Sequence, residues 1–148
     1  MTITTEQLAD LEAIKRLKAR YFRSMDTKDW EGLAACFTED LEADFRDAPG
    51  MHTHGRDVYL EQLVPILQDA VTVHHGHMPE IAFTGADEAT GIWAMDDIVQ
   101  MPGMHLRGWG HYHERYRREA GVWRICYIRL TRLHSEMSGT PPELPGAS

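Results

Sequence analysis

Cysteine, basic charge and long apolar runs are all scarce in this 148-residue chain, and each scarcity excludes something. Cys36 and Cys126 are too few for a disulfide framework and show no CxxC spacing, so both are expected as reduced, buried small hydrophobes. Lys and Arg number 15 against 23 Asp and Glu, a net charge of −8 with histidine neutral. That is the wrong sign for gathering phosphates, and nucleic acid is not an expected partner. No stretch approaches the ~20 consecutive apolar residues of a membrane helix, and the opening MTITTEQLAD has neither the basic nor the apolar segment of a secretion signal. A cytoplasmic protein with no membrane partner is the expectation. The phosphate loops GxGxxG and GxxxxGKS and the nucleophile elbow GxSxG are missing too, so no organic cofactor is expected.

What the chain does have is nine histidines, four tryptophans and eight methionines, a mixture that suits a ligand cavity as well as an ordinary core. Its length argues for one domain, taken as residues 1–137, followed by a tail or flap over Ser138 to Ser148, where three Pro and two Gly disfavour a ladder. From Thr5 to Asp26, Leu8, Leu11, Ile14, Leu17, Tyr21 and Met25 recur every three or four positions, the period of an amphipathic helix. Trp30, Leu33, Ala34 and Phe37 mark a second, short helix, and Asp57 to Ala70 a third, interrupted at Pro65. Between them stand a brief strand, Leu41 to Phe45, and an irregular loop, Asp47 to Gly55.

After Val71 the helical period gives way to short runs rich in Val, Ile, Trp and Tyr. Strands are expected over Thr72–His77, Glu80–Thr84, Ala89–Met101, Trp109–Glu119 and Val122–His134, with turns at 85–87, 101–108 and 120–121. Helices first and strands second mean an α+β fold, a cone-shaped curved antiparallel sheet against three N-terminal helices, with an apolar pocket at its open end.

Strand alternation puts Ala89, Gly91, Trp93, Met95, Asp97, Val99 and Met101 on one face. A carboxylate among apolar neighbours must be paired, hydrogen bonded or protonated, and such groups concentrate at functional sites. Asp97 is therefore an acidic site candidate, or else a structural partner of Arg129 or Arg132. Histidines occur as His74-His75-Gly-His77, His111-Tyr-His113 and His52-Thr-His54, with single His105 and His134. An i, i+2 pair on a strand could serve a metal, but a third ligand and an orienting shell are also needed. No closed ligand spacing appears, and no metal is expected. One histidine of the first cluster is a candidate general acid or base, while His111 and His113 read as packing. Tyr21 and Asp26 bracket the end of the first helix, about 140° apart, so they share a cavity only if the helix end unwinds or the cavity curves around it.

The stretches EAIKRLKARYFRSMDTKDWEGLAACFTEDLEADF and GHYHERYRREAGVWRICYIRLTRL, in this order of elements, resemble the SnoaL-like branch of the nuclear-transport-factor-2-like superfamily over about residues 6–134. EAIKRLKARYFRSMD, HHGHMPEI, ATGIWAMDD and WRICYIRLTR are further similar to the bacterial bile acid 7α-dehydratase group. That resemblance implies Tyr21, Asp26, His74, Asp97 and Arg132 as catalytic residues. Trp93 and Met95 beside Asp97, and Trp109 and Tyr112 from the segment after Met101, are the expected substrate contacts.

The resemblance implies a cofactor-independent lyase that eliminates water from a hydroxylated, hydrophobic ring compound such as a steroid or aromatic metabolite. Histidine changes charge close to neutral pH and can act as base and acid. Asp26 would fix the His74 tautomer, Tyr21 would donate to a developing oxyanion or leaving hydroxyl, and Asp97 and Arg132 would orient polar groups. Aldol-type loss of formaldehyde from lignin-derived aromatics, isomerisation and a non-catalytic binding module of the same fold are the rivals. The last requires that Tyr21, Asp26 and His74 not converge. The family also implies pairing through the exposed sheet face, as a homodimer or homotrimer.

Overall fold

The computed structural model describes residues 2–48 and 50–140. Three helices, α1 (Thr5–Thr27), α2 (Trp30–Ala34) and α3 (Arg56–Leu67), pack on one curved, unclosed six-stranded sheet. Its strands are β1 (Phe37–Asp44), β2 (His52–His54), β3 (Val71–Gly85), β4 (Glu88–Met101), β5 (Met104–Glu119) and β6 (Val122–Gly139), in the order β2-β1-β6-β5-β4-β3. All neighbours are antiparallel except β1 and β6, which run parallel and make the sheet mixed. No described helix is long and apolar enough to cross a membrane.

Local chemistry explains where the elements begin and end. The Thr4 hydroxyl accepts from the Gln7 N–H while the Gln7 side chain accepts from the Thr4 N–H, a capping box that starts α1. Lys28, at φ 61°, ends it in the left-handed conformation, and Asp29 caps α2 by accepting from the Gly32 N–H. The apolar stripe of α1 buries Ile14, Leu17, Tyr21 and Met25, whereas Leu8 remains 57% exposed.

Several boundaries differ from the sequence reading. Phe37 belongs to β1, because α2 stops after little more than one turn. The expected loop contains β2, whose three residues pair with β1. The two expected strands before Gly85 are one, β3, which absorbs the Pro79 interruption as a bulge between His77 and Glu80, with Met78 at φ 41°. The turn expected over 101–108 narrows to Pro102-Gly103, since His105, Leu106 and Arg107 continue the ladder. Ser138 and Gly139, assigned to the tail, extend β6 opposite His105 and Met104, and residues 141–148 of that tail lie outside the described residues. Cys36 is fully buried, but Cys126 is only half-buried, on the other side of the sheet from the core.

Candidate active site

The sheet, α1 and α3 line a cavity of about 230 Å³, walled by Phe45, Met51, Leu63, Val99, Met104 and Leu130 among others. Its polar lining comes from Tyr21, Tyr59, His74, Asp97, Tyr112 and Arg132. Four of the five catalytic candidates therefore face one space. The fifth, Asp26, stands behind His74.

Asp26 reaches β3 from the last turn of α1, and three donors meet its carboxylate. The Thr72 hydroxyl donates to Oδ1 at 3.0 Å, the His74 N–H to Oδ2 at 2.8 Å, and His74 Nδ1 lies 2.6 Å from Oδ1. Partial burial alone would raise the Asp26 pKa, but His74, through its ring, charge and backbone N–H, together with Thr72 holds it below the ordinary carboxylate value. With Nδ1–H committed to Asp26, Nε2 is the free nitrogen of the His74 ring and stands 4.0 Å from Asp97 Oδ2. The helix does not unwind to bring Tyr21 and Asp26 together. Tyr21 enters the cavity directly, and His74 connects it to Asp26.

Asp97, 3% exposed, takes a two-pronged ion pair from Arg132, with Nη1 to Oδ1 at 2.6 Å and Nη2 to Oδ2 at 3.0 Å. Of the two expected partners Asp97 thus takes Arg132, and the pair lies on the cavity wall. Arg129 instead points outward to Asp47. Gly108 makes the pair fit: a Cβ there would fall 2.2 Å from Arg132 Nη1 and 2.7 Å from Asp97 Oδ1.

The pleat sorts the remaining candidates. Thr72, His74 and Gly76 of β3 face inward, while exposed His75 and His77 face out and hold Asp96, at 3.5 and 2.9 Å. The bulge comes after His77, so it does not disturb this division. Of the expected substrate contacts, Tyr112 lines the cavity. Trp109 does not, because it pairs with outward-facing Asp96 and stacks on His134 at 5.5 Å. Trp93 and Met95 face inward but do not line the cavity. The Trp93 indole N–H donates to Tyr116 at 2.8 Å beside Gly76, and Met95 Sδ lies 3.7 Å from Arg132 Nη1. His111 and His113 sit half-buried on the outer face, where His113 Nε2 lies 3.0 Å from the Thr131 hydroxyl.

A second polar grouping was not anticipated. Lys18, on the apolar face of α1, is fully buried and ion-paired to buried Glu114, which also accepts from the Tyr116 hydroxyl. The Lys18 ammonium lies 3.9 Å from the Tyr21 ring centre and 3.6 Å from that of Tyr112. Burial pushes its pKa down to about 8 against the opposing pull of Glu114. Burial likewise holds the Tyr21 and Tyr112 hydroxyls well above their ordinary range, so both remain protonated donors. Strand alternation of Tyr112, Glu114 and Tyr116 was the available signal for Glu114. For Lys18 it was the position one residue past Leu17 and four past Ile14, inside the stripe.

Comparison with known proteins agrees with this architecture. A family model for the SnoaL-like domain matches residues 6–129. A candidate scytalone dehydratase from Novosphingobium aromaticivorans is 25% identical and superposes with a TM-score of 0.79, over 95% of each chain. The hexachlorocyclohexane dehydrochlorinase LinA-type3 of Novosphingobium barchaimii, 18% identical with a TM-score of 0.76 over 94% of this chain and 97% of its own, shares the fold. A candidate cyclase of Gibberella zeae is 24% identical over 137 residues, 82% of this chain and 89% of its own. With the matched region spanning both the helices and the sheet that carry the cavity, the chain belongs to the SnoaL-like domain family, within the nuclear-transport-factor-2-like superfamily.

Proposed function

We propose that this protein is a cofactor-independent lyase that eliminates water from a hydroxylated, hydrophobic ring compound. The observation that carries this reading is the Asp26–His74 pair, 2.6 Å apart, on the wall of an apolar cavity. His74 Nε2 takes the proton from the carbon adjacent to the carbon bearing the hydroxyl. The freed electron pair forms the double bond, and the hydroxyl leaves as water with a proton from imidazolium or from Tyr21. Asp26 holds the ring and stabilises its charged form. Tyr21 and Tyr112 donate to oxygen, and Asp97–Arg132 aligns a polar substituent.

The five residues Tyr21, Asp26, His74, Asp97 and Arg132 match the pattern of the bile acid 7α-dehydratases and support the same reaction type. The cavity favours a smaller substrate. Its volume of about 230 Å³ lies below the ~300–1,000 Å³ of sites for drug-sized ligands, which favours a one- or two-ring aromatic over a four-ring steroid. One relative, a candidate scytalone dehydratase, is in keeping with a dehydration reaction.

Incubation with a panel of hydroxylated one- and two-ring compounds, read by mass spectrometry, tests the reading. One member should lose one water in a reaction abolished by His74→Ala. Return of every compound unchanged would overturn the reading, and release of formaldehyde would support the aldol-type alternative.

A further inference from the structure

On the opposite side of the sheet from the cavity, the edge pair β1–β2 gathers three metal-ligating side chains. β2 is His52-Thr53-His54, and its register sets Glu42 against His54, Ala43 against Thr53 and Asp44 against His52. Directly opposed residues share a face. Thr53 and Ala43 turn inward, 4% and 0% exposed, so Glu42, His52 and His54 project together from the outer face.

The two imidazole centres are 4.9 Å apart, and His52 Nε2 stands 3.6 Å from Glu42 Oε2. One ligand atom from each residue lies within 4.8 Å of the others, the single such grouping of three among the described residues. Tetrahedral coordination at Zn–N distances near 2.0–2.1 Å places donors about 3.3 Å apart. The ladder already holds both backbones, so the difference is left to side-chain rotation. Nearby Asp44 is engaged by Arg46 at 2.8 and 2.9 Å and is not available as a competing ligand.

Two imidazoles and one carboxylate form the donor set of zinc sites that keep a fourth position open. Hard cations such as Mg²⁺ and Ca²⁺ prefer oxygen, so the set selects a borderline first-row divalent ion. We propose that Glu42, His52 and His54 bind a divalent transition ion of the zinc class, which fastens β2 to β1. The site is separate from the cavity residues, but β2 directly follows the segment whose Ala48, Gly50 and Met51 line the cavity. A bound ion would therefore steady one cavity wall.

Calorimetric titration of the untagged full chain with Zn²⁺ in a non-coordinating buffer tests this. One equivalent should bind with a dissociation constant of about micromolar order. His52→Ala, His54→Ala and Glu42→Gln should each weaken binding about tenfold or more, while His75→Ala/His77→Ala leaves it unchanged. Circular dichroism establishes that each exposed-site variant keeps the fold. Absence of saturable binding below millimolar Zn²⁺ would overturn the proposal, as would binding that survives His54→Ala or is lost in the His75/His77 variant.

Discussion

Two acid–base groupings stand on either side of the same pair of tyrosines. On the cavity side are Asp26, His74, Asp97 and Arg132; behind the rings of Tyr21 and Tyr112 are Lys18, Glu114 and Tyr116. The first retains access to solvent, with the Asp26 side chain 23% and Arg132 14% exposed, and its histidine keeps one nitrogen uncommitted. The second is sealed, with Lys18 and Glu114 side chains at 0%. An open grouping can exchange protons with a ligand. A sealed one holds rings in place, at a cost in desolvation that only intact pairing offsets.

The sharpest way to break the comparison is to remove one member from each side. His74→Ala should lower turnover about 10²- to 10⁴-fold, the usual share of general acid–base catalysis, with substrate affinity and thermal midpoint little changed. Lys18→Met should do the reverse, costing about 3–5 kcal/mol of stability by leaving Glu114 buried without its partner. The double variant Lys18→Met/Glu114→Gln should recover most of that loss in urea unfolding, since Gln still accepts from Tyr116. A large stability loss in His74→Ala, or none in Lys18→Met, would erase the distinction.

Asp26→Asn should reduce turnover by less than His74→Ala and should also change the response to acid. Because the folded-state pKa of Asp26 is depressed, its contribution to stability is full above the ordinary value near 4 and is lost as pH falls through the lower folded value. The urea midpoints of parent and Asp26→Asn should therefore converge as pH drops below about 4. Tyr21→Phe deletes a single donor and should cost about three- to tenfold in turnover. His75→Ala and His77→Ala, on the outer face, should stay within a few fold of the parent. Turnover lost in either of these but kept in His74→Ala would show that the base is not His74.

The sequence by itself determined the classes and order of the main elements, short β2 and the unbroken β3 excepted, because helix and strand periods are local: six apolar positions at helical spacing mark α1, and alternation over Ala89–Met101 put Asp97 on the buried face of β4. That alternation alone made Asp97 a site candidate, whereas Tyr21, Asp26, His74 and Arg132 were assigned catalytic roles only through a family likeness, since no local period chooses among His74, His75 and His77. Tertiary structure decided what those residues touch. The Asp26–His74 contact joins positions 48 apart, and Lys18–Glu114 joins positions 96 apart. It also turned Trp109 away from the cavity, drew His52 and His54 out of an expected loop into a strand beside Glu42, and buried a lysine that polarity alone would place in water. The physical reason is range. Backbone sterics and side-chain period act over a few residues and are written along the chain, whereas pairing of buried charges depends on strand register and on which helix covers them, which exist only once the sheet has formed.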